Sequence, residues 1–189
     1  MKLIQTMKES AQHLKHLRSL TGVSMLLAVS ILLTYFFRLD LGGNLNIGLS
    51  YTATALMGML FGPAATGIAN GIGDIIKVII RPQGPYFPGY TLNAVLAGMI
   101  YGFFLYRKPP TLLRTALVKT TINLVINAFL NTFWMAVTMG QGFYAMIPVR
   151  IIKNLTMLPL EILVLYLVLN AADRALARAG IKQRLYRFS

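Results

Sequence analysis

Long apolar runs alternate with short polar breaks along this chain, and several of the runs reach membrane-crossing length. The pattern predicts a first helix over roughly 20–37, with Lys2, Lys8, Lys15 and Arg18 in front of it. Arg38-Leu-Asp40-Leu-Gly-Gly-Asn44 then breaks the run, and its adjacent glycines with an asparagine predict a turn. A short second helix is predicted over 47–61. Gly62-Pro63 ends it, and Pro63 suits the first position of the next helix. The third span, 64–80, is interrupted by Gly67, Gly71 and Gly73 and carries Asp74 and Lys77. A fourth covers 90–106 and stops at Arg107-Lys108-Pro109-Pro110, because tandem prolines end a helix. The fifth, 112–139, is long enough to tilt. Gly140-Gln-Gly142 marks a turn, the sixth span covers 148–172, and a basic tail follows.

Composition turns these runs into a fold class. Of 189 residues, 56% are hydrophobic and 12% charged, about half the charged fraction of a soluble domain. Apolar helices of about 18 residues or more cross bilayers. The expected fold is an all-α membrane protein: six transmembrane helices in a single bundle, forming one domain over residues 1–189. Basic tails are expected at about 1–19 and 174–189. The first tail is basic and amphipathic, unlike the short charged stub of a cleaved signal peptide. There is no cysteine, which excludes disulfides, thiol nucleophiles and cysteine–metal clusters.

The net charge of +13 would point to nucleic acid in a soluble protein, but here topology explains it. Cationic residues collect in cytoplasmic segments of membrane proteins. Six spans put both termini on one side. That side then holds four cations before the first span, four from Arg107 to Lys119 and five from Arg174 onward. It is therefore expected to be cytoplasmic. Arg38, Lys77, Arg81, Arg150 and Lys153 fall at or near the opposite, external ends.

Between the third and fourth spans lies Arg81-Pro-Gln-Gly-Pro-Tyr-Phe-Pro-Gly-Tyr90. A plain connection needs only a few polar residues. Prolines and glycines fix the backbone path here, and Tyr86, Phe87 and Tyr90 offer flat faces with polar tips. A stiff aromatic loop at the mouth of a bundle is expected to cover a planar ligand.

Polar groups inside spans need reasons. Asp74 and Lys77 stand i, i+3 and can pair; Lys77 and Arg81 together leave a positive surplus for a ligand. Asn123, Asn127 and Asn131 recur at i, i+4, i+8, near Trp134. They read either as hydrogen-bonding glue between helices or as a stripe that reads a flat heterocycle, since an amide donates and accepts. Arg150, Lys153 and Asn154 open the sixth span as expected here, where the macrodipole disfavours cations. An anionic ligand removes that conflict, and arginine holds a carboxylate with two parallel hydrogen bonds. Glu161 lies deeper and reads as a structural partner. The methionines read as ordinary membrane core or lipid contacts.

Chemistry is conspicuously thin. His13 and His16 are the only histidines, both in the first tail. There is no phosphate-binding glycine loop with its lysine, no intramembrane Ser/His pair and no metal-ligand cluster. No catalytic residue, metal or cofactor is expected, and no nucleic-acid partner.

At this point Leu60-Phe-Gly-Pro63, Gly73-Asp74, Gly84-Pro-Tyr-Phe-Pro-Gly-Tyr-Thr-Leu92, Ala97-Gly98 with Tyr101-Gly102, Leu130-Asn-Thr-Phe-Trp134, Pro148-Val-Arg-Ile-Ile-Lys-Asn154 and Met157-Leu-Pro159 come together. The chain resembles the substrate-binding S component of energy-coupling factor (ECF) vitamin transporters, specifically the folate-specific members. The resemblance covers nearly everything from the first span to the sixth. It implies a six-helix fold with no ATPase of its own, in the plasma membrane of a prokaryote. It implies vitamin binding at the external face, and partnership with a transmembrane coupling subunit and two cytoplasmic ATPases. It implies loops over 38–50, 81–90 and 140–147 that gate the pocket. The family's Ala-xxx-Ala patch, which contacts the coupling subunit, is matched in part by Ser24 and Ala28. For folate, Lys77, Arg81, Arg150 and Lys153 suit the carboxylates. Tyr86, Phe87, Tyr90 and Trp134 suit the rings, and Asn127 and Asn131 suit the pterin edge, with Asn154 beside them. Two other readings stand alongside. One is an S component for pantothenate or riboflavin. The other is an ion-coupled secondary transporter using Asp74 or Glu161.

Overall fold

A computed structural model describes residues 2–14, 16–36, 38–40, 46–80, 86–140 and 143–178. Helix α1 spans Lys2–His13 and α2 Leu17–Phe36. Strands β1 (Arg38–Asp40) and β2 (Asn46–Gly48) pair antiparallel, with Leu39 opposite Ile47. Then follow α3 (Ser50–Ile80), α4 (Pro88–Leu105), α5 (Leu112–Thr121), a π-helical segment (Ile122–Leu130), α6 (Asn131–Met139) and α7 (Phe143–Arg178). Apart from the one small hairpin, the regular elements among the described residues are all helices.

Among the described residues, five helical stretches are long and apolar enough to cross a membrane: Leu17–Phe36, Ser50–Ile80, Pro88–Leu105, Leu112–Thr138 and Arg150–Arg178. The second is not one continuous helix. Gly62 sits at φ 81°, ψ −175°, a left-handed conformation that only glycine adopts without steric cost. Pro63 follows it and has no N–H to donate. The expected division at Gly62-Pro63 is therefore present as a sharp kink. The remaining helix boundaries depart from the sequence pattern at both ends of the chain. The first tail is a helix that packs on α3, and α7 begins at Phe143 rather than near Pro148.

The core centres on α3, which contributes Ala55, Met57, Met59, Phe61 and Ala65. Tyr101 and Leu105 of α4, Val118 of α5, and Leu165 and Leu169 of α7 close around it. The backbones of α3 and α4 nearly touch. A Cβ at Gly98 would lie 2.7 Å from the Thr66 carbonyl oxygen, and one at Gly102 would meet the Pro63 backbone. Small residues permit this approach, and in a bilayer such close packing is a main source of helix association. The outer faces of α2 and α7 carry Met25, Leu32, Leu163 and Leu167 exposed, as lipid-facing surfaces do.

Candidate ligand-binding site

Two polar layers lie at different depths in the bundle. The first surrounds Glu161 of α7. Lys119 Nζ is 3.1 Å from Glu161 Oε1, and both side chains are largely enclosed. Lys119 also sits 3.8 Å from the centre of the Tyr51 ring, a cation–π contact. Asn123 Nδ2 donates to Glu161 Oε2 at 2.7 Å, and Asn127 Nδ2 donates to Asn123 Oδ1 at 3.1 Å. Asn154 Nδ2 reaches the Asn123 carbonyl at 3.5 Å. Four elements are thus joined by one network.

The sequence counts Lys119 with Arg107 among the charges that set topology, and the structure shows its surroundings. Lys119 is buried, because Glu161 on the facing helix supplies its counter-charge. Glu161 is the structural partner that its position implied, and its carboxylate is committed on both oxygens. Of the asparagine stripe, Asn123 donates across to Glu161 on the facing helix, while Asn127 donates within its own segment to Asn123. The segment holding them is π-helical, a geometry found mostly at functional or strained places in helices.

The second layer lies where α4 begins. From Asn123 to Trp134 is about 16 Å along a helix axis, so the two layers do not touch through this helix. Phe87 precedes α4 as its N-cap, and Pro88 occupies the first position, where its missing N–H is harmless. The Phe87 ring centre lies 5.3 Å from that of Trp134 at 50°, and 6.2 Å from that of Tyr90, edge on. Phe133 meets Trp134 edge on, 5.0 Å between ring centres. Gly89 makes room for this cluster: a Cβ there would lie 2.5 Å from Trp134 Cδ2.

Hydrogen bonds fix the cluster's edges. Thr91 Oγ1 donates to Asp74 Oδ2 at 2.9 Å, and Tyr86 Oη lies 3.1 Å from Thr91 Oγ1. A threonine hydroxyl has a single proton, so Tyr86 is the donor in that second contact. Thr138 Oγ1 donates to the Trp134 carbonyl at 2.9 Å, which leaves Tyr90 Oη to donate to Thr138 across 3.4 Å. Trp134 Nε1 donates to Asn93 Oδ1 at 3.1 Å. Asn93 is the member the sequence reading missed. It stands alone in an apolar run, without the periodic neighbours that drew attention to the stripe on the fifth span.

Asp74 and Lys77 do not pair: among the described residues no ion pair joins them. Asp74 instead ties α3 to the start of α4 through Thr91. The Lys77 carbonyl accepts from Tyr35 Oη at 2.7 Å, and its side chain is half-buried. Arg150 and Lys153 are half-buried on α7. Arg150 lies two turns inside α7 because the helix begins at Phe143. The macrodipole argument therefore loses its force there, since the effect fades within the first turn. Its guanidinium reaches the Met135 thioether, a weak acceptor. Among the described residues, none of Lys77, Arg150 and Lys153 has a carboxylate within ion-pair distance. Asn131 is half-buried at the start of α6, while Ser24 and Ala28 lie on an exposed face of α2. Arg81 lies outside the described residues.

Comparison with known proteins places this arrangement. Residues 18–169 match the family described as ECF transporter, substrate-specific component. A folate transporter FolT of Clostridium novyi (strain NT) is 29% identical over 161 residues, covering 85% of this chain and 93% of that protein. A folate transporter FolT of Leuconostoc mesenteroides is 28% identical over 160 residues, covering 81% and 85%. A solved structure described as FolT bound with folic acid is 32% identical, with a TM-score of 0.74 over 82% of this chain and 95% of that one. With the family match extending across most of its length, the chain belongs to the substrate-specific components of ECF transporters.

Proposed function

We propose that this chain is the folate-binding S component of an ATP-driven vitamin importer in a prokaryotic plasma membrane. The cluster of Phe87, Trp134 and Asn93 carries the reading. It offers flat faces and an amide at one end of the bundle, in a fold similar to a FolT structure described as bound with folic acid. Folate brings a planar pterin and a dianionic glutamate tail. Aromatic side chains stack on the first. Lys77 and Arg150, which have no carboxylate within ion-pair distance among the described residues, neutralise the second.

The chain loads folate at the external side and delivers it inward. Counting the kinked α3 as two spans gives six, with both termini cytoplasmic. The chain does not hydrolyse ATP; a transmembrane coupling subunit and two cytoplasmic ATPases supply that step. Ser24 and Ala28, on the exposed face of α2, contact the coupling subunit. Reorientation of the whole bundle then exposes the ligand to the cytoplasm. Native mass spectrometry of the purified protein tests the ligand assignment. A co-purified folate is expected; pantothenate or riboflavin in its place would overturn it.

A further inference from the structure

Asn93 is an amide whose oxygen is bonded and whose NH2 is not. Its side chain is enclosed, at 6% exposure. Trp134 Nε1 donates to Oδ1 at 3.1 Å. An indole N–H can only donate, so Trp134 fixes which way the amide faces: oxygen toward the indole, NH2 turned away. That Nδ2 has no hydrogen-bond partner among the described residues. The other buried polar side-chain atoms in this condition are hydroxyls of Thr66, Tyr101 and Thr132, each with one rotatable proton. Asn93 instead holds two protons in a fixed plane. A buried donor without an acceptor is disfavoured, and such groups point to a function that supplies the missing partner. Trp134, which bonds the amide, packs against Phe87 with 5.3 Å between ring centres.

We propose that Asn93 is a specificity-determining residue, whose Nδ2 donates to the carbonyl-bearing edge of a pterin ring held against Trp134. This rests on the folate reading above. In folic acid the ring presents a 4-oxo oxygen, with the N5 lone pair next to it; both are acceptors. Aminopterin keeps the skeleton and the glutamate tail but carries a 4-amino group, which is a donor. It therefore meets Asn93 donor to donor. Cations such as Lys77 and Arg150 act on the tail, which the two compounds share. The ratio of their affinities isolates the ring edge.

The test is equilibrium binding of folic acid and of aminopterin to the full chain in detergent, by calorimetry, for wild type and two variants. Wild type is expected to favour folic acid by at least about tenfold, since a site built to bond a given group rejects the analogue lacking it. Asn93→Ala removes the donor and brings the ratio to within about threefold of unity. Asn93→Asp keeps an acceptor for Trp134 but replaces the donor with an oxygen, so the preference reverses toward aminopterin. Thermal unfolding shows whether each variant is folded. Folded variants that retain the wild-type ratio would overturn the role of Asn93 and leave the folate reading standing. If neither variant folds, the wild-type ratio decides: equal affinities overturn the proposal and a tenfold preference supports it. A wild type that binds neither compound removes the folate reading, and the role of Asn93 with it.

Discussion

The Ser10 hydroxyl replaces a hydrogen bond that Phe61 loses at the kink of α3. In an unbroken helix the Ala65 N–H would donate to the Phe61 carbonyl. Gly62 and Pro63 separate the two. Ser10 Oγ fills the break: it donates to the Phe61 oxygen at 2.7 Å and accepts from the Ala65 N–H at 3.1 Å. Ser10 is fully buried. Glu9, its neighbour, lies 3.6 Å from Arg107, which anchors α1 at the same end of the bundle. Ser10→Ala leaves a buried donor and a buried acceptor unmet, at a cost of about 1–3 kcal/mol. Equilibrium unfolding in detergent measures it, and an unchanged midpoint would show that the bridge contributes nothing.

Lys119 and Glu161 form a buried pair whose halves depend on each other. Lys119→Met leaves the Glu161 carboxylate uncompensated and is expected to cost about 3–5 kcal/mol. Adding Glu161→Gln to that variant removes the stranded charge, and the double variant should regain a large part of the loss. A double-mutant cycle on unfolding free energies reads the coupling. Additive effects would mean that the pair is not coupled.

Gly89→Ala should displace Trp134. The new methyl would overlap the indole, and the glycine is otherwise an ordinary helical residue, so the effect falls on the cluster rather than on the helix. Trp134 is the only tryptophan, which makes intrinsic fluorescence a direct report on its surroundings. The emission maximum should move to the red in the variant, with folate affinity lowered about tenfold or more, on the scale of a misplaced binding group. An unmoved spectrum would mean that the ring accommodates the methyl.

Arg150→Ala tests the tail. Loss of a charge-assisted contact to a carboxylate is worth about 1.5–3 kcal/mol, an affinity loss of roughly ten- to hundredfold. The loss should shrink for a folate analogue whose glutamate carboxylates are esterified. Undiminished folate affinity in the variant would remove Arg150 from the site.

The apolar runs made most of the architecture legible, because a span must satisfy its backbone internally and its outer face must match lipid. Gly62-Pro63 announced the kink for local reasons: one residue admits the left-handed turn and the next cannot donate. Phe87 and Tyr90 read as aromatics at the mouth and Trp134 as a ring beside the asparagine stripe, and the fold brings the three together. What the pattern could not convey was pairing between distant segments. Ser10 reads as part of a solvated basic tail until α1 is seen against the break 51 residues later. Lys119 reads only as one of the topology-setting charges until Glu161 is found facing it. The π-helical register over Ile122–Leu130 shifts which faces the asparagines share, and a 3.6-residue period does not reveal it. Asn93 gains meaning only from the indole that orients it.

The most direct measurement is calorimetric titration of folic acid into the chain purified alone, without coupling or ATPase subunits. Saturable one-to-one binding is expected, accompanied by quenching of Trp134 fluorescence. No saturable binding of folic acid, with thermal stabilisation by pantothenate or riboflavin instead, would contradict the assignment of folate as the ligand.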